Sequence, residues 1–451
     1  MDIVIVGDGK VGATLTEMLS GEGHSLTIID QNPAVLKHQT ERLDIIGVLG
    51  NGASYQAQQE AGVPEADLFI AATSTDEVNM VCCLLAKKLG CPNTIARIRN
   101  PEYNEQLRLM REDLGLSLVI NPELSAAREI ASLLSFPHAD SIGSLSGGRV
   151  QIVRYTLEEK GMLTGRRLSE VSQKRGQNVV VCAVERGGEV SIPKGDFRLE
   201  AGDHIYLAGK LSNIDNFLRA YGERNYAIRN AMVIGGGKIT HYLAKMLEGS
   251  ATKLKILEKD PQRCRTLAEK LPHALVVEAD GSDRAVLDEE GIAETDALIA
   301  LTNMDEENLI ISMYGILQNV PKIITKINRT GYMDIVEKIG LDSLISPKYA
   351  AADQIAQYVR ALQNSEGSPV DTLYKIVGGK AEALEFTVSG EAEHLEQPLR
   401  SLPIAPDVLL AAIVRNGEFI SPTGQDQIHQ GDRVVVVTTK ANFDDFNDIF
   451  E

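Results

Sequence analysis

Two kinds of apolar pattern alternate along the first 120 or so residues. Short continuous runs, DIVIVG, SLTIID, DIIGVLG, DLFIAAT and NTIARI, have the length of buried strands. Between them lie stretches such as KVGATLTEMLSGEG and EVNMVCCLLAKKLG, whose apolar positions recur at helical spacing. Strand and helix in alternation predict an α/β architecture: a Rossmann-like, doubly wound parallel sheet with helices on both faces. A further helix follows over NPELSAAREIASLLSF, with Pro122 at an early helical position.

The pattern changes after about residue 140. VQIVRYTL, NVVVCAVERGGEVSI and DHIYLAG read as strands, with RGGE as a two-residue hairpin signal. This predicts a small α+β domain. The whole arrangement then occurs again. Gly7 falls on Gly235 and Asp30 on Glu258, at an offset of 228. One inserted residue later, Gly52 falls on Gly281, Thr73 on Thr302, Asp76 on Asp305, Asn79 on Asn308 and Asp203 on Asp432, at an offset of 229. RNGE takes the place of RGGE. A period of half the chain is a duplication of a whole two-domain unit, not a solenoid. The expected domains are 1–121 and 228–347, doubly wound, and 141–225 and 369–451, α+β, with linkers near 136–143, 222–229 and 363–370.

The candidate chemistry sits at the glycine turns. Gly7, Gly9 and Gly12 follow a strand and open a helix. In a strand–turn–helix unit the first glycine makes the turn, the second lets backbone approach a pyrophosphate, and the third lets helix pack on strand. The helix start, Lys10 and Val11, offers unpaired N–H groups to phosphate. Asp30 ends the next strand, where a carboxylate accepts from ribose hydroxyls and repels a 2′-phosphate; that favours NAD over NADP, and ATP or ADP present the same hydroxyls. Asn51 and Gly52 follow the third strand, beside the expected adenosine. Thr73 and Ser74 follow the fourth, at the carboxyl edge where such sheets bind ligands. Arg97 ends the fifth, placed to reach the pyrophosphate. The second copy departs from this set. It reads Gly235, Gly236, Gly237, Lys238, Ile239, and Thr240 stands where the third glycine should be. Glu258 replaces Asp30, Asp280 replaces Asn51, Thr302 matches Thr73, and Lys326 replaces Arg97. Helix–strand packing must be looser at Thr240 or a neighbour must compensate, and with the added carboxylate this predicts weaker binding, a different nucleotide, or none.

Charge and composition narrow the classes. The 451 residues carry a formal net charge of −18, which disfavours nucleic acid and anionic lipid as partners and suits a basic protein surface. No apolar run is long enough to span a bilayer and no signal peptide is evident, so a cytoplasmic protein is expected. The five cysteines form no C-x-x-C pair and read as buried reduced thiols; the scattered histidines predict no metal site. An NAD-dependent oxidoreductase would need a pocket residue over the nicotinamide, and no nucleophile–base pair stands out. That leaves the oxidoreductase as the alternative to a nucleotide sensor. A transcriptional regulator is disfavoured by the charge and by the lack of a basic helix-turn-helix.

On VIVGDGKVG, GNGAS, AATSTDEVNMV, ARIRNPEY, their second copies and the two α+β domains, the chain resembles the TrkA family, peripheral subunits of Trk potassium uptake systems built from tandem RCK domains. The resemblance covers essentially the whole chain. It implies a non-enzymatic subunit that binds NAD(H) or ATP/ADP, assembles as a ring, a tetramer giving eight RCK units, and gates a potassium-transporting membrane subunit from the cytoplasmic face. By resemblance Gly7 to Val11, Asp30, Asn51, Thr73, Ser74 and Arg97 line the first site. Asp8 departs from the small residue usual in the turn, and a carboxylate beside a phosphate is expected to weaken affinity.

Overall fold

The structure, a computed structural model, describes residues 1–103, 106, 111–172, 178–222, 226–329, 336, 339–341, 343–363, 370–376, 380–440, 443 and 445–451. The expected linker NSEGSP (364–369) and part of that near 222–229 lie outside the described residues.

The first doubly wound part runs β1 (Asp2–Val6), α1 (Lys10–Gly21), β2 (Ser25–Asp30), α2 (Pro33–Arg42), β3 (Ile46–Leu49), α3 (Tyr55–Glu60), β4 (Leu68–Ala71), α4 (Asp76–Leu89), β5 (Asn93–Arg97), β6 (Leu118–Ile120) and α5 (Pro122–Ser135). Its strands pair in parallel in the order β3-β2-β1-β4-β5-β6. The order reverses between β1 and β4, and a ligand crevice opens at such a switch point beyond the carboxyl ends of the strands. All four residues of β4 are buried, as a central parallel strand requires. Local signals place the helices. Asn32 caps α2, accepting from the Ala34 N–H at 3.0 Å, with Pro33 following. Helix α4 has Asp76 and Glu77 in its first turn, Lys87 and Lys88 in its last, and left-handed Gly90 at its end, all favourable to the helix dipole and the chain reversal. Strand β6, three residues long, was too short to leave a sequence signal.

The first α+β part contributes β7 (Ser141–Leu145), β8 (Val150–Thr156), α6 (Leu168–Ser172), β9 (Val179–Arg186), β10 (Glu189–Ser191), β11 (His204–Gly209) and α7 (Leu211–Ala220). The second doubly wound part repeats the first as β12 (Asn230–Ile234), α8 (Lys238–Leu247), β13 (Lys253–Glu258), α9 (Pro261–Lys270), β14 (Leu275–Glu278), α10 (Arg284–Glu289), β15 (Ala297–Ala300), α11 (Asp305–Leu317), β16 (Lys322–Lys326), β17 (Ser343–Ile345) and α12 (Pro347–Gln363). Its strand order, β14-β13-β12-β15-β16-β17, is the same. The second α+β part adds β18 (Val370–Ile376), β19 (Ala381–Thr387), β20 (Val408–Arg415), β21 (Glu418–Ile420) and β22 (Arg433–Thr438).

Like parts group with like. One compact unit holds 1–131 and 229–356, the two doubly wound parts; the other holds 132–228 and 357–451, the two α+β parts. Within the second unit the two antiparallel sheets share a core: Val150, Ile152 and Tyr206 of one pack with Ala383, Ala412 and Val435 of the other. Glu385, 1% exposed, accepts from the Ser146 N–H at 2.8 Å and its hydroxyl at 2.7 Å, joining the copies. Both hairpins form as the sequence predicts. Glu189 pairs with Arg186 and Glu418 with Arg415, the residues between them having positive φ. The glycine–aspartate turns after them place Asp203 and Asp432 under bidentate contact from Arg186 and Arg415.

All five cysteines are buried and unpaired. Burial pushes the Cys82 and Cys182 thiols up to about 12, so they stay protonated at neutral pH. No described helix is long and apolar enough to cross a membrane.

Candidate nucleotide site

In the first copy the glycines do what their positions require. Gly7 has φ 86°, and a Cβ on Gly12 would stand 2.0 Å from the Gly7 carbonyl oxygen, so α1 packs on β1 only with glycine there. Gly9 is the N-cap of α1, with no side chain capping the helix and nothing within 4 Å of its Cβ position. Uncapped N–H groups facing open space are an anion site. Gly52 packs directly on β1, and a Cβ there would lie 2.0 Å from Val6 Cγ1. Gly52→Ala is therefore expected to cost about 1–3 kcal/mol of stability, read by denaturant unfolding of the full chain; an unchanged midpoint would contradict this packing.

Asp30 is half-buried at the end of β2. It accepts from the Asp8 N–H at 2.8 Å and the Asn32 N–H at 2.8 Å, one on each oxygen, which holds its carboxylate at the turn. Asn51 is exposed and spends its carbonyl oxygen on the Ala53 N–H at 3.0 Å. Asp8 requires a correction. Its carboxyl is not presented to an incoming phosphate but is 7% exposed, near the Thr16 hydroxyl at 3.5 Å. Burial raises its pKa, a Gln39 hydrogen bond opposes that, and Asp30 adds to the rise.

A pair of polar residues whose role the repeat left unread organises the far side of the crevice. Asn79, fully buried, accepts from the Thr73 N–H at 2.9 Å and hydroxyl at 2.6 Å, and donates to the Arg97 carbonyl at 2.8 Å. Asp76 accepts from the Arg99 and Asn100 N–H groups, both at 2.8 Å. The second copy repeats this with Asn308 on Thr302 (2.8 Å) and Lys326 (2.9 Å), and Asp305 on Asn328 and Arg329 (both 2.9 Å). The TDEVN and MDEEN stretches thus tie the ends of β4 and β5, and of β15 and β16, into one rigid edge. Ser74 is exposed, and its carbonyl accepts from Arg99.

The second turn keeps the outline and changes the chemistry. Gly235 has φ 103°, and Gly237 caps α8 with open space beside it. The packing at Thr240 is not looser: the residue is fully buried and its hydroxyl donates to the Gly235 carbonyl at 2.5 Å. Ile239 is buried beside it. Glu258 is 6% exposed and already accepts from Gly236 N–H (2.8 Å) and Asp260 N–H (2.9 Å), with Arg263 at 3.5 Å. Buried and engaged, it is less open to a ribose than Asp30. Asp280 is exposed and accepts from the Ser282 N–H and hydroxyl, which hold its pKa low. The pocket that Glu258, Asp280, Thr302 and the glycines enclose is about 230 Å³.

Tertiary structure brings the two copies to one place. Lys10 and Arg97 of the first copy and Lys238 and Lys326 of the second line a single cleft of about 1070 Å³. Among the described residues, nine lysine and arginine side chains face it, against two glutamates, Glu102 and Glu123. In a chain of net charge −18 this is a concentrated field for anions. Arg97 pairs with Glu123 at 3.7 Å, its Nε is buried without a partner among the described residues, and burial lowers its pKa against the pull of Glu123. Lys326 is 7% exposed, and its ammonium donates to the Leu301 carbonyl at 3.3 Å. Arg97 and Lys326 were assigned from sequence to separate sites; they share this one. Arg99, Glu123, Lys245 and Lys348, which the sequence did not single out, complete it.

The residues fit a nucleotide. The profile of the TrkA-N domain matches residues 3–122 and 231–347, and that of the TrkA-C domain residues 152–222 and 384–451. The chain belongs to the TrkA family. It is 31% identical over 450 residues to a Trk system potassium uptake protein TrkA homolog of Archaeoglobus fulgidus, with all of both chains covered. Homolog 1 of Methanosarcina mazei is 32% identical over 97% of each chain, and TrkA of Vibrio alginolyticus 30% identical over 97% of this chain and 95% of its own. These relatives are potassium uptake proteins. The fold also matches the GsuK RCK domain (TM-score 0.64, 18% identity, 97% of this chain and 92% of that one) and the GsuK channel bound to NAD (TM-score 0.63, 18% identity, 97% and 77%). The tandem RCK architecture expected of a TrkA-family chain is therefore present.

Proposed function

We propose that this TrkA-family chain is the nucleotide-responsive regulatory subunit of a Trk-type potassium transporter. It binds NAD(H) or ATP/ADP in its doubly wound parts and works on the membrane subunit through a change in shape of a homo-oligomeric, tetrameric ring at the cytoplasmic face. The domains run 1–121, 141–225, 228–347 and 369–451. The observation that carries this reading is the cleft: two uncapped helix starts and, among the described residues, nine cations converge in an otherwise acidic chain. Phosphate groups are the ligand chemistry such a cleft selects. Gly7, Gly9 and Gly12 seat the pyrophosphate, Asp30 the ribose, and Thr73 and Ser74 border the second ribose. The engaged Glu258 and the small pocket beside it support a weaker or smaller ligand in the second copy, since ligand pockets usually span about 300–1,000 Å³. A ligand that prefers one ring shape shifts the equilibrium by its differential affinity. Isothermal titration of the purified chain with NADH, NAD, ATP and ADP tests the reading; no binding of any of them would end it. Hydride transfer from NADH to a substrate would instead favour the oxidoreductase.

Lys326 adds a pH dependence. Burial, ahead of the opposing pull of Asp305, brings its ammonium down from 10.5 to about 8. The folded pKa is the lower one, so between these values the unfolded chain binds more protons, and this residue's contribution to stability rises with pH across that window. Phosphate binding runs the other way because it needs the charged form. ATP affinity is expected to fall above about pH 8, by up to about tenfold per unit, and Lys326→Met to flatten that slope. A wild-type profile flat to pH 9.5, about one and a half units above that pKa, would remove Lys326 from the site.

A further inference from the structure

Tyr242 stands on α8, one turn from the second glycine turn, yet both hydrogen bonds of its hydroxyl go to the first copy. It donates to the Arg99 carbonyl at 3.0 Å and accepts from Asn121 Nδ2 at 2.9 Å. The ring is 6% exposed and Asn121 is 8% exposed, so these bonds form away from water. Each partner leads directly into the first site. Arg99 donates its N–H to Asp76 at 2.8 Å and its guanidinium to the Ser74 carbonyl, which anchors the β4–α4 loop. Asn121 caps α5 through the Leu124 N–H at 2.9 Å, beside Glu123 and its contacts to Arg97 and Arg99. An unbroken series of short polar contacts therefore joins the Ser74 loop of one copy to the phosphate-facing helix of the other.

Among the described residues the reciprocal series is missing. The duplication places Thr14 opposite Tyr242 and Asn328 opposite Arg99, and Ser346 stands between β17 and α12 where Asn121 stands between β6 and α5. Thr14 turns its hydroxyl back to the Lys10 carbonyl of its own helix at 3.0 Å. Asn328 bonds Asp305 within its own copy. Ser346 Oγ is buried with no partner among the described residues. Packing alone would have been served equally in both directions by the duplication; a polar strut built on one side only is a device of one helix.

We infer that Tyr242 is a positioning residue that couples the two nucleotide sites, so that a ligand ordering the Ser74 loop of the first copy also fixes the phosphate-facing start of α8 in the second. The inference rests on the proposed function, because it takes both glycine turns as ligand sites. Nucleotide in the first site restrains Ser74, Asp76 and Arg99, and Tyr242 carries that restraint to Gly237 and Lys238. Coupling of this kind is reciprocal in free energy although the contacts run through one side chain. A chain of contacts becomes a coupling path only when its removal uncouples the ends.

The test silences the second site and watches its helix. Gly237 has φ −77° and open space at its Cβ, so Gly237→Asp is tolerated by the backbone and sets a carboxylate where phosphate would sit. In that background ATP and NADH binding is measured first, by titration, and amide hydrogen exchange of residues 238–247 is then followed with and without ligand. Nucleotide is expected to slow exchange across α8. Adding Tyr242→Phe, which removes one oxygen and retains the ring, is expected to cut that response at least fivefold while leaving affinity within twofold and the melting midpoint within a few degrees. Asn121→Ser, which keeps a helix-capping oxygen and withdraws the amide donor, is expected to weaken the response in the same direction and serves if the phenylalanine variant does not fold. An equal response in the variants, or no response in α8 although nucleotide binds, overturns the coupling and leaves the sensor reading intact. No nucleotide binding by the wild-type chain overturns the sensor reading itself and the coupling with it.

Discussion

Asp30→Ala is expected to weaken binding of NAD and ATP by about ten- to a hundredfold, the range set by losing charge-assisted hydrogen bonds worth about 1.5–3 kcal/mol. The carboxylate does two things at once. It presents acceptors at the end of β2, and it holds the glycine turn by accepting from the Asp8 and Asn32 N–H groups. Asp30→Asn removes the charge and keeps one acceptor oxygen, so it preserves one of the two bonds to the turn, which use separate carboxylate oxygens, and its loss should be smaller than that of Asp30→Ala. Titration of the three proteins with the same nucleotide decides the matter. Wild-type affinity in Asp30→Ala would move the principal site to the second copy, where Glu258 stands in the same place.

Asp203→Ala or Asp432→Ala is expected to cost about 2–4 kcal/mol of stability, because each removes three hydrogen bonds from a buried carboxylate. Asp203 is fully buried and accepts from Arg186 at 2.7 and 2.8 Å and from the Glu200 N–H at 2.8 Å. Asp432 repeats the set with Arg415 at 2.9 and 2.8 Å and the His429 N–H at 2.9 Å. The arginines are 42% and 33% exposed, so water takes up part of their charge and the estimate stays below that for a fully buried pair. Equal losses in the two variants are expected because the sheets share one core. Denaturant unfolding that showed less than about 1 kcal/mol for both would make these pairs surface decoration.

Much of this was legible in the chain alone, and for local reasons. A parallel strand buried on both faces must be an apolar run, the strand–turn–helix crossing of the first copy needs glycine at Gly7 and Gly12, and a tight hairpin must place Gly or Asn where RGGE and RNGE place them. A duplication is visible because it repeats letters. Each of these is a statement about residues near one another in sequence, where periodicity and φ carry the information.

What only the tertiary structure decided concerns residues far apart. Sequence placed Asp8 beside phosphate; the crossing of α1 and α2 buries it near Thr16 and Gln39 instead. Sequence left Thr240 between looser packing and compensation by a neighbour; the turn geometry lets its hydroxyl satisfy the Gly235 carbonyl. Arg97 and Lys326 looked like members of two sites, separated by more than half the chain, and nothing in a linear pattern says that two copies will face their cations into one cleft. The same holds for Tyr242, whose apolar neighbours on α8 make it look like core until its hydroxyl is seen to end on Arg99 and Asn121. Patterns report which face of an element is buried; they do not report what is buried against it, and the shared cleft and the one-sided strut are both contacts of that second kind.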